Sequence, residues 1–446
     1  MARQFRGIKY ASAARFGMPH LEKYDGDAAS PESTHRGAAR VYSAWQNPLL
    51  FDRVVGDMSQ GLVFGEDCLN LNVTVPDSRV EGDARAVVVY IHGGAYVAGS
   101  AQIHGYDPSA WVDQEDIVVV NISYRLGAFG FMELPGITQE GLGAQNLGLW
   151  DMVTALKWVR DNIARFGGDP DKVTIMGHSA GADAITHLLT LPEAAPLFRR
   201  AIVQSAPLGL RRGRAQIAEA MTAAFVADLG STDARTASPQ RLIQAQEVAG
   251  NAAGKFGLAA GMPFSVVPGK NGVSDEATAA RAMTALGNTK DVLIGYTHDD
   301  ILPFILGTPT IELWHQNPLA KHMVYPLARA INPGMNRIVF AGPAMQLADQ
   351  LTRGGSRVYS YRFDWRSPES EYRACHTIEL PFLLGDRDAW QRAPMLQGAS
   401  WADIAAKGAV LKNAWAEFAR TGNPTPDGSW PAHRAGRGPS RIWPNS

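Results

Sequence analysis

Residues 172–181 constrain the fold of this chain more tightly than any other stretch. Lys172-Val-Thr-Ile-Met176 is a short β-prone run, Gly177-His178-Ser179-Ala180-Gly181 follows at once, and Ala182 to Leu189 has the composition of a helix. Strand, Gly-x-Ser-x-Gly turn and helix in succession place a serine in a sharp, strained turn with its hydroxyl above the end of a sheet. The small residues on both sides let strand and helix pack that closely. Ala180 opens the helix, so its N–H and the positive helix end face any oxyanion that develops beside the serine. Taken alone, the pentapeptide is a moderately specific signal, because Gly, Ser and Ala are common in ordinary turns.

The rest of the chain supplies the sheet that such a turn needs. Ala86 to Ile91 and Ile117 to Ile122 are apolar throughout, as expected of strands buried on both faces. From Asn146 to Phe166 the period turns helical, with Leu149, Val153, Leu156, Val159, Ile163 and Phe166 at three- and four-residue steps. Gly167-Gly168-Asp169-Pro170 is expected to close that helix, with a left-handed cap followed by a proline that cannot continue it. Ala201 to Gln204, Val292 to Gly295 and Val358 to Phe363 are further strand candidates, and Leu411 to Arg420 reads as a late amphipathic helix. Strands alternating with helices predict an α/β architecture with a mostly parallel sheet covered on both faces. The Ala-rich stretch 208–287 reads as a helical excursion.

Bulk properties narrow the function. The 446 residues are 46% hydrophobic and 19% charged, with a formal net charge of −1. That balance fits a soluble globular protein and offers no basic field for nucleic acid. The longest apolar runs are strand-length, so no membrane span is expected. The start of the chain carries Arg3, Arg6 and Lys9 without an apolar run, so no secretory signal is read there. Cys68 and Cys375 are the two cysteines, a count that suits a reducing cytoplasm. Metal-ligand spacings such as His-Glu-x-x-His or Cys-x-x-Cys are absent.

His92-Gly-Gly-Ala-Tyr96 follows the first apolar strand, where a Gly-rich loop is expected to complete an oxyanion hole with its backbone N–H groups. With this loop in hand, the chain resembles a family, the type-B carboxylesterases, which are related to the cholinesterases. The matching segments run nearly end to end. They include Phe5-Arg-Gly-Ile-Lys-Tyr-Ala11, Glu66-Asp-Cys-Leu-Asn-Leu-Asn72, Tyr124-Arg-Leu-Gly-Ala-Phe-Gly-Phe131, Asn146-Leu-Gly-Leu-Trp-Asp151 and Phe166-Gly-Gly-Asp-Pro170. After the Ser179 turn come Ile294 to Asp300, His376-Thr-Ile-Glu-Leu-Pro-Phe382 and Trp415 to Pro424.

The resemblance implies an α/β-hydrolase fold, a central mostly parallel twisted sheet with helices on both faces and a reduced helical cap. It implies one domain over 1–446 with cap excursions around 208–287 and 301–336. It also implies a serine carboxylic-ester hydrolase that works through an acyl-enzyme. In that reading Ser179 is the nucleophile, His376 the base and Asp300 the acid, with Asp299 as the neighbouring alternative. Gly94, Ala95 and Ala180 supply the oxyanion-hole amides. No cofactor and no metal are implied. The partner is a small-molecule ester, with no nucleic acid, and the assembly is a monomer or a homodimer. The family's usual acid is Glu, and His178 stands where cholinesterases carry Glu, which argues against a choline ester. Cys68 matches a family cysteine that usually closes a disulfide; without an upstream partner it reads as a reduced core thiol, and Cys375 as inert packing. By resemblance Arg15 pairs with Glu66 and Arg125 with Asp151. Ser205 either bonds near the triad or bonds its own backbone. The chain starts at the family's Phe-x-Gly-Ile segment and is short after Asp300, which predicts a more open pocket. The tryptophans, Trp111, Trp150, Trp158 and Trp365 among them, read as packing rather than an aromatic gorge. Alternative functions are a carbamate or anilide hydrolase with the same triad, a biosynthetic enzyme, or a non-catalytic binding relative, although such relatives typically lose the serine or histidine.

Overall fold

The computed structural model describes residues 1–26, 41–47, 51–78, 82–134, 145–308, 311, 314 and 321–443. The expected excursion 301–336 therefore lies partly outside the described residues. Eleven strands are formed among them: β1 (Arg3–Lys9), β2 (Ala11–Ser12), β3 (His20–Leu21), β4 (Asn70–Val75), β5 (Arg85–Ile91), β6 (Val118–Ile122), β7 (Gly168–His178), β8 (Arg200–Gln204), β9 (Asp291–Thr297), β10 (Arg357–Phe363) and β11 (Arg441–Trp443). Nine of them make one sheet in the order β1-β4-β6-β5-β7-β8-β9-β10-β11, and β2 pairs with β3 apart from it. The β1–β4 and β4–β6 pairings are antiparallel, and every pairing from β6 through to β11 is parallel. This is the α/β-hydrolase arrangement.

Alternation along the strands explains the two-sided core. Val87, Val89 and Ile91 of β5 belong to one apolar cluster, with Leu149, Val153 and Leu156 of the helix Leu147–Asn162 and Ile185 of the helix Ala180–Leu188. Ala86, Val88 and Tyr90 belong to the other, with Leu411, Trp415 and Phe418 of the helix Trp401–Thr421. Successive side chains point to opposite faces, so an unbroken apolar strand needs a helical layer on each side. Trp111, Trp158 and Trp365 are buried in these clusters, as expected of packing residues.

Two expectations about boundaries need correction. The helix from 147 ends at Asn162 and tightens into a 3₁₀ turn, Ile163–Phe166, with Gly167 as its left-handed cap (φ 78°). The next strand then starts at Gly168 and takes in Pro170, four residues earlier than the run at Lys172 suggests. Its pairing jumps from Arg85↔Gly168 to Val87↔Val173, so Pro170 lies in a bulge where a missing N–H costs no ladder bond. The late helix begins at Trp401, ten residues before the predicted Leu411, because Trp401, Ile404 and Gly408 continue its packed face. The 208–287 excursion is helical as read, with helices Arg214–Leu229, Pro239–Ala252 and Glu276–Ala285.

Both expected ion pairs form. Arg15 donates to both Glu66 oxygens, by Nε at 2.8 Å and by Nη2. Buried Arg125 grips Asp151 through Nε (2.9 Å) and Nη2 (2.6 Å). Cys68 and Cys375 are free thiols in the core, and burial pushes the Cys68 thiol up to about 12. Among the described residues no helix is long and apolar enough to cross a membrane.

Candidate active site

All six candidate site residues lie beyond the carboxyl ends of parallel strands, where open α/β sheets place their ligands. Gly94 and Ala95 follow β5, Ser179 and Ala180 follow β7, Asp300 follows β9, and His376 comes after β10.

Ser179 has φ 56° and ψ −122°, a conformation that costs a non-glycine residue roughly 1–3 kcal/mol. The surrounding contacts impose it. A Cβ on Gly181 would sit 2.1 Å from the Ile91 carbonyl oxygen, so only glycine lets the new helix pass so close to β5. The Ser179 N–H donates to the Gln204 carbonyl at 2.9 Å, which ties the turn to β8. The serine stays partly exposed while its neighbours are buried.

The acid and the imidazole meet directly. Asp300 Oδ1 lies 2.8 Å from His376 Nδ1, and both residues are buried. The second oxygen, Oδ2, accepts from the Thr297 N–H at 2.7 Å and the Ser205 hydroxyl at 3.0 Å. Three donors thus fix the carboxylate and leave Nε2 of His376 as the free end of the ring. Asp299 turns elsewhere: Asn332 Nδ2 donates to it at 2.8 Å, the Ala374 N–H at 3.3 Å, and Arg373 Nε lies at 3.6 Å. Of the two adjacent acids, Asp300 is the one bonded to the histidine.

His376 packs against the residue that precedes Ser179 in the chain. Its ring centroid lies 4.4 Å from that of His178, the residue immediately before Ser179. Burial, and then the neighbouring His376, lower the His178 pKa well below its usual value, so His178 is neutral at pH 7. Phe51, Phe304 and Phe340 surround the same imidazole at 5.9, 5.2 and 5.2 Å. Phe340 projects from a π-helical turn, Arg337–Ala341, a local distortion that is frequent at functional sites. None of these aromatic contacts carries a sequence signal, since each comes from a different segment of unpatterned chain.

On the other side of Ser179 lies the Gly-rich loop. A Cβ on Gly93 would stand 2.9 Å from the Ser179 Cβ, so loop and serine are in contact. Gly94 (φ 103°), Ala95 (φ 52°) and Tyr96 (φ 61°) are all left-handed in succession. The Gly94 carbonyl points inward and accepts from the Val97 and Ala98 N–H groups, both at 3.0 Å. The N–H groups of Gly94, Ala95 and Ala180 donate to no partner among the described residues. His92 beneath the loop is stacked on Tyr124 at 4.4 Å, and burial lowers its pKa to about 4. No group of three or more His, Cys, Asp or Glu residues able to hold a metal occurs among the described residues.

Comparison with known proteins identifies the family of the chain. The sequence profile described as the carboxylesterase family matches residues 1–317 and 313–440. The chain is 35% identical to a probable N-octanoylanthranilate hydrolase of Rhodococcus erythropolis, over 96% of this chain and 91% of that protein. It is 33% identical to the para-nitrobenzyl esterase of Bacillus subtilis, over 82% and 77% respectively. The solved structure of a thermophilic PNB esterase superposes with a TM-score of 0.76 at 28% identity, covering 97% of this chain and 90% of that one.

Proposed function

The chain belongs to the carboxylesterase family and is a carboxylic ester hydrolase, and from that premise we propose that Ser179, His376 and Asp300 hydrolyse the ester through an acyl-enzyme. One observation carries the assignment: the bond between Asp300 and His376 Nδ1, on a ring packed against the residue that precedes Ser179.

Each step follows from the residue types. Neutral His376 takes the Ser179 proton at Nε2 as the oxygen attacks the ester carbonyl. Asp300 keeps the other nitrogen protonated and offsets the imidazolium charge. The carbonyl oxygen becomes an oxyanion facing the unengaged N–H groups of Gly94, Ala95 and Ala180. One such donor is typically worth about 3–4 kcal/mol in the transition state. The imidazolium then protonates the departing alcohol. Water, activated by the same histidine, releases the acid and restores the serine. The donors cost little to reorganise, because the strained loop and the helix start hold them in place before substrate arrives.

The ligand is a small-molecule ester. The three phenylalanines around His376 favour apolar and aromatic groups over charged ones, which supports short-chain aryl or hindered esters as substrates. A second reading has a specific observation behind it. The relative named as an N-octanoylanthranilate hydrolase acts, by its name, on an N-acyl arylamine, and the same triad cleaves such a bond if His376 protonates the leaving nitrogen.

An aryl phosphonate fluoride tests the nucleophile. It should add one phosphonyl group to Ser179, seen by peptide mass spectrometry, and abolish turnover in proportion. Label on any other residue with loss of activity would overturn the assignment. Matched nitrophenyl ester and nitroanilide substrates then divide the two readings: an ester preference above about 10³ in kcat/KM favours the first.

A further inference from the structure

The Gly-rich loop holds three consecutive left-handed residues, two of which are not glycine. Such a run persists only when its surroundings over-determine it. The restraint is found on Tyr96. Its ring is fully buried and packs on Phe131 at 4.5 Å, and its carbonyl accepts from the Gly127 N–H at 2.7 Å. Its hydroxyl donates to Asp183 Oδ2 at 2.7 Å. Asp183 is itself buried, four residues beyond Ser179 on the helix that opens at Ala180. Arg211 Nε donates to the other oxygen, Oδ1, at 2.7 Å, and Arg211 Nη2 bonds the Asp183 carbonyl at 3.0 Å and the Thr186 hydroxyl.

We propose that Tyr96, Asp183 and Arg211 form a positioning relay that locks the Gly94–Ala95 amides to the helix carrying the third amide, Ala180. This rests on the reading of those amides as oxyanion donors. The logic is mechanical. Two donors come from the loop and one from the helix, so the three point at one oxygen only if loop and helix keep a fixed relation. The relay is the direct polar link between them, and it ties the residue after Ala95 to the first turn of the helix. Burial raises the Asp183 pKa, but Arg211, His187 and Tyr96 together outweigh it and hold the carboxyl below its usual range. The link is therefore ionised at pH 7, and its bonds are of the stronger, charge-assisted kind. Removal of the Tyr96 hydroxyl leaves the packing in place and frees the loop to turn its amides away.

The test uses the full chain, 4-nitrophenyl butyrate and phenyl trifluoromethyl ketone, whose serine adduct places an oxyanion in the hole. Tyr96→Phe should lower kcat about tenfold or more with KM within about twofold, and weaken the ketone by the same factor. Asp183→Asn should do so at least as strongly, and Arg211→Lys should retain most of the rate. If Tyr96→Phe does not fold, Arg211→Gln carries the test, with a smaller loss in the same direction on both readouts. A rate within twofold of wild type, or a lower kcat with unchanged ketone affinity, would overturn the relay. Ser179→Ala run alongside separates the two failures. If that variant still turns over ester, the oxyanion reading has fallen and the relay with it; if it is inert and Tyr96→Phe is normal, the relay alone is wrong.

Discussion

Among the described residues the fold holds a second Ser–His–Asp set besides the one proposed as catalytic, and the two differ in how much of their hydrogen-bonding capacity is already used. Besides Ser179, His376 and Asp300, the Ser360 hydroxyl lies 2.8 Å from His433 Nδ1, and His433 Nε2 lies 2.8 Å from Asp349 Oδ1. In the second set hydrogen bonds join all three side chains. What it lacks is an idle, accessible oxygen. Ser360 sits mid-strand in β10, fully buried, and its oxygen already accepts the Ser440 N–H at 2.9 Å. Asp349 is also taken up by the Gly436 N–H, at 3.0 Å to each oxygen. The His433 N–H bonds the Val358 carbonyl at 2.7 Å. Together these contacts clamp residues 430–443 to the sheet edge, where β11 adds to β10. At the first set the serine backbone is strained, the serine is partly exposed, and the N–H groups of Gly94, Ala95 and Ala180 donate to no partner among the described residues. Residue identity does not separate the two sets; backbone conformation and unspent hydrogen-bonding capacity do.

The sharpest way to break this contrast is to remove each serine oxygen. Ser179→Ala should cost on the order of 10⁴ or more in kcat on a nitrophenyl ester, with the melting temperature nearly unchanged. Ser360→Ala should leave kcat within about threefold but destabilise the fold by roughly 1–3 kcal/mol, because it strands the Ser440 N–H and one His433 nitrogen. Steady-state kinetics and thermal unfolding on both variants check the pair. A rate collapse in Ser360→Ala would end the distinction. The acids give the next largest effect. Asp300→Asn should lower kcat on the order of 10³-fold, since an amide stabilises the wrong tautomer of His376. Asp299→Asn keeps an oxygen for Asn332 and should stay within about tenfold of wild type. Equal losses would move the acid assignment to the loop as a whole.

How much of this was legible in the sequence depends on how local the cause is. The Ser179 turn was readable because strand, glycine pair and helix are adjacent in the chain, and the same holds for His92 to Tyr96. The choice of Asp300 over Asp299 was a preference from family position; the structure shows why the two acids diverge, through Asn332 and Ala374 on one side and Thr297 and Ser205 on the other. Ser205 left two readings open, and its bond to Asp300 closes them. The aromatic wall from Phe51, Phe304 and Phe340 was invisible, because it is assembled from three distant segments without a shared period. Asp183 read as an ordinary helix residue. Its partner Arg211 lies 28 positions away, beyond an intervening strand. The Gly-Gly-Asp-Pro stop is local and closes the helix as expected, but the strand start at Gly168 rather than Lys172 depends on pairing with Arg85, which no local pattern carries.

The smallest effect separates the two sets by acid–base behaviour rather than by rate. Glu379, three residues after His376, is fully buried and accepts the Tyr361 hydroxyl at 2.8 Å. Burial pushes its pKa from 4.5 up to about 8; the Tyr361 bond works against that rise and nearby Asp300 adds to it. In the folded chain Glu379 is thus protonated up to about pH 8, whereas the unfolded chain releases that proton near 4.5. Between those values the unfolded state binds fewer protons, so this residue makes stability fall as pH rises. Asp349 in the clamp has the opposite sign. Burial raises its pKa, but the bonds from His433 and Gly436 outweigh it and hold the carboxyl below 3.8. Its contribution is present above pH 3.8 and is lost as pH falls through the folded value. Denaturant unfolding at pH 5, 6, 7 and 8 should therefore show Glu379→Gln flattening the decline that wild type suffers toward pH 8, while Asp349→Asn keeps that decline and lowers stability at every one of these pH values. If wild type and Glu379→Gln gave parallel curves over this range, the buried carboxyl would be ionised in the fold, and the site would hold one more negative charge beneath Asp300 than its geometry accommodates.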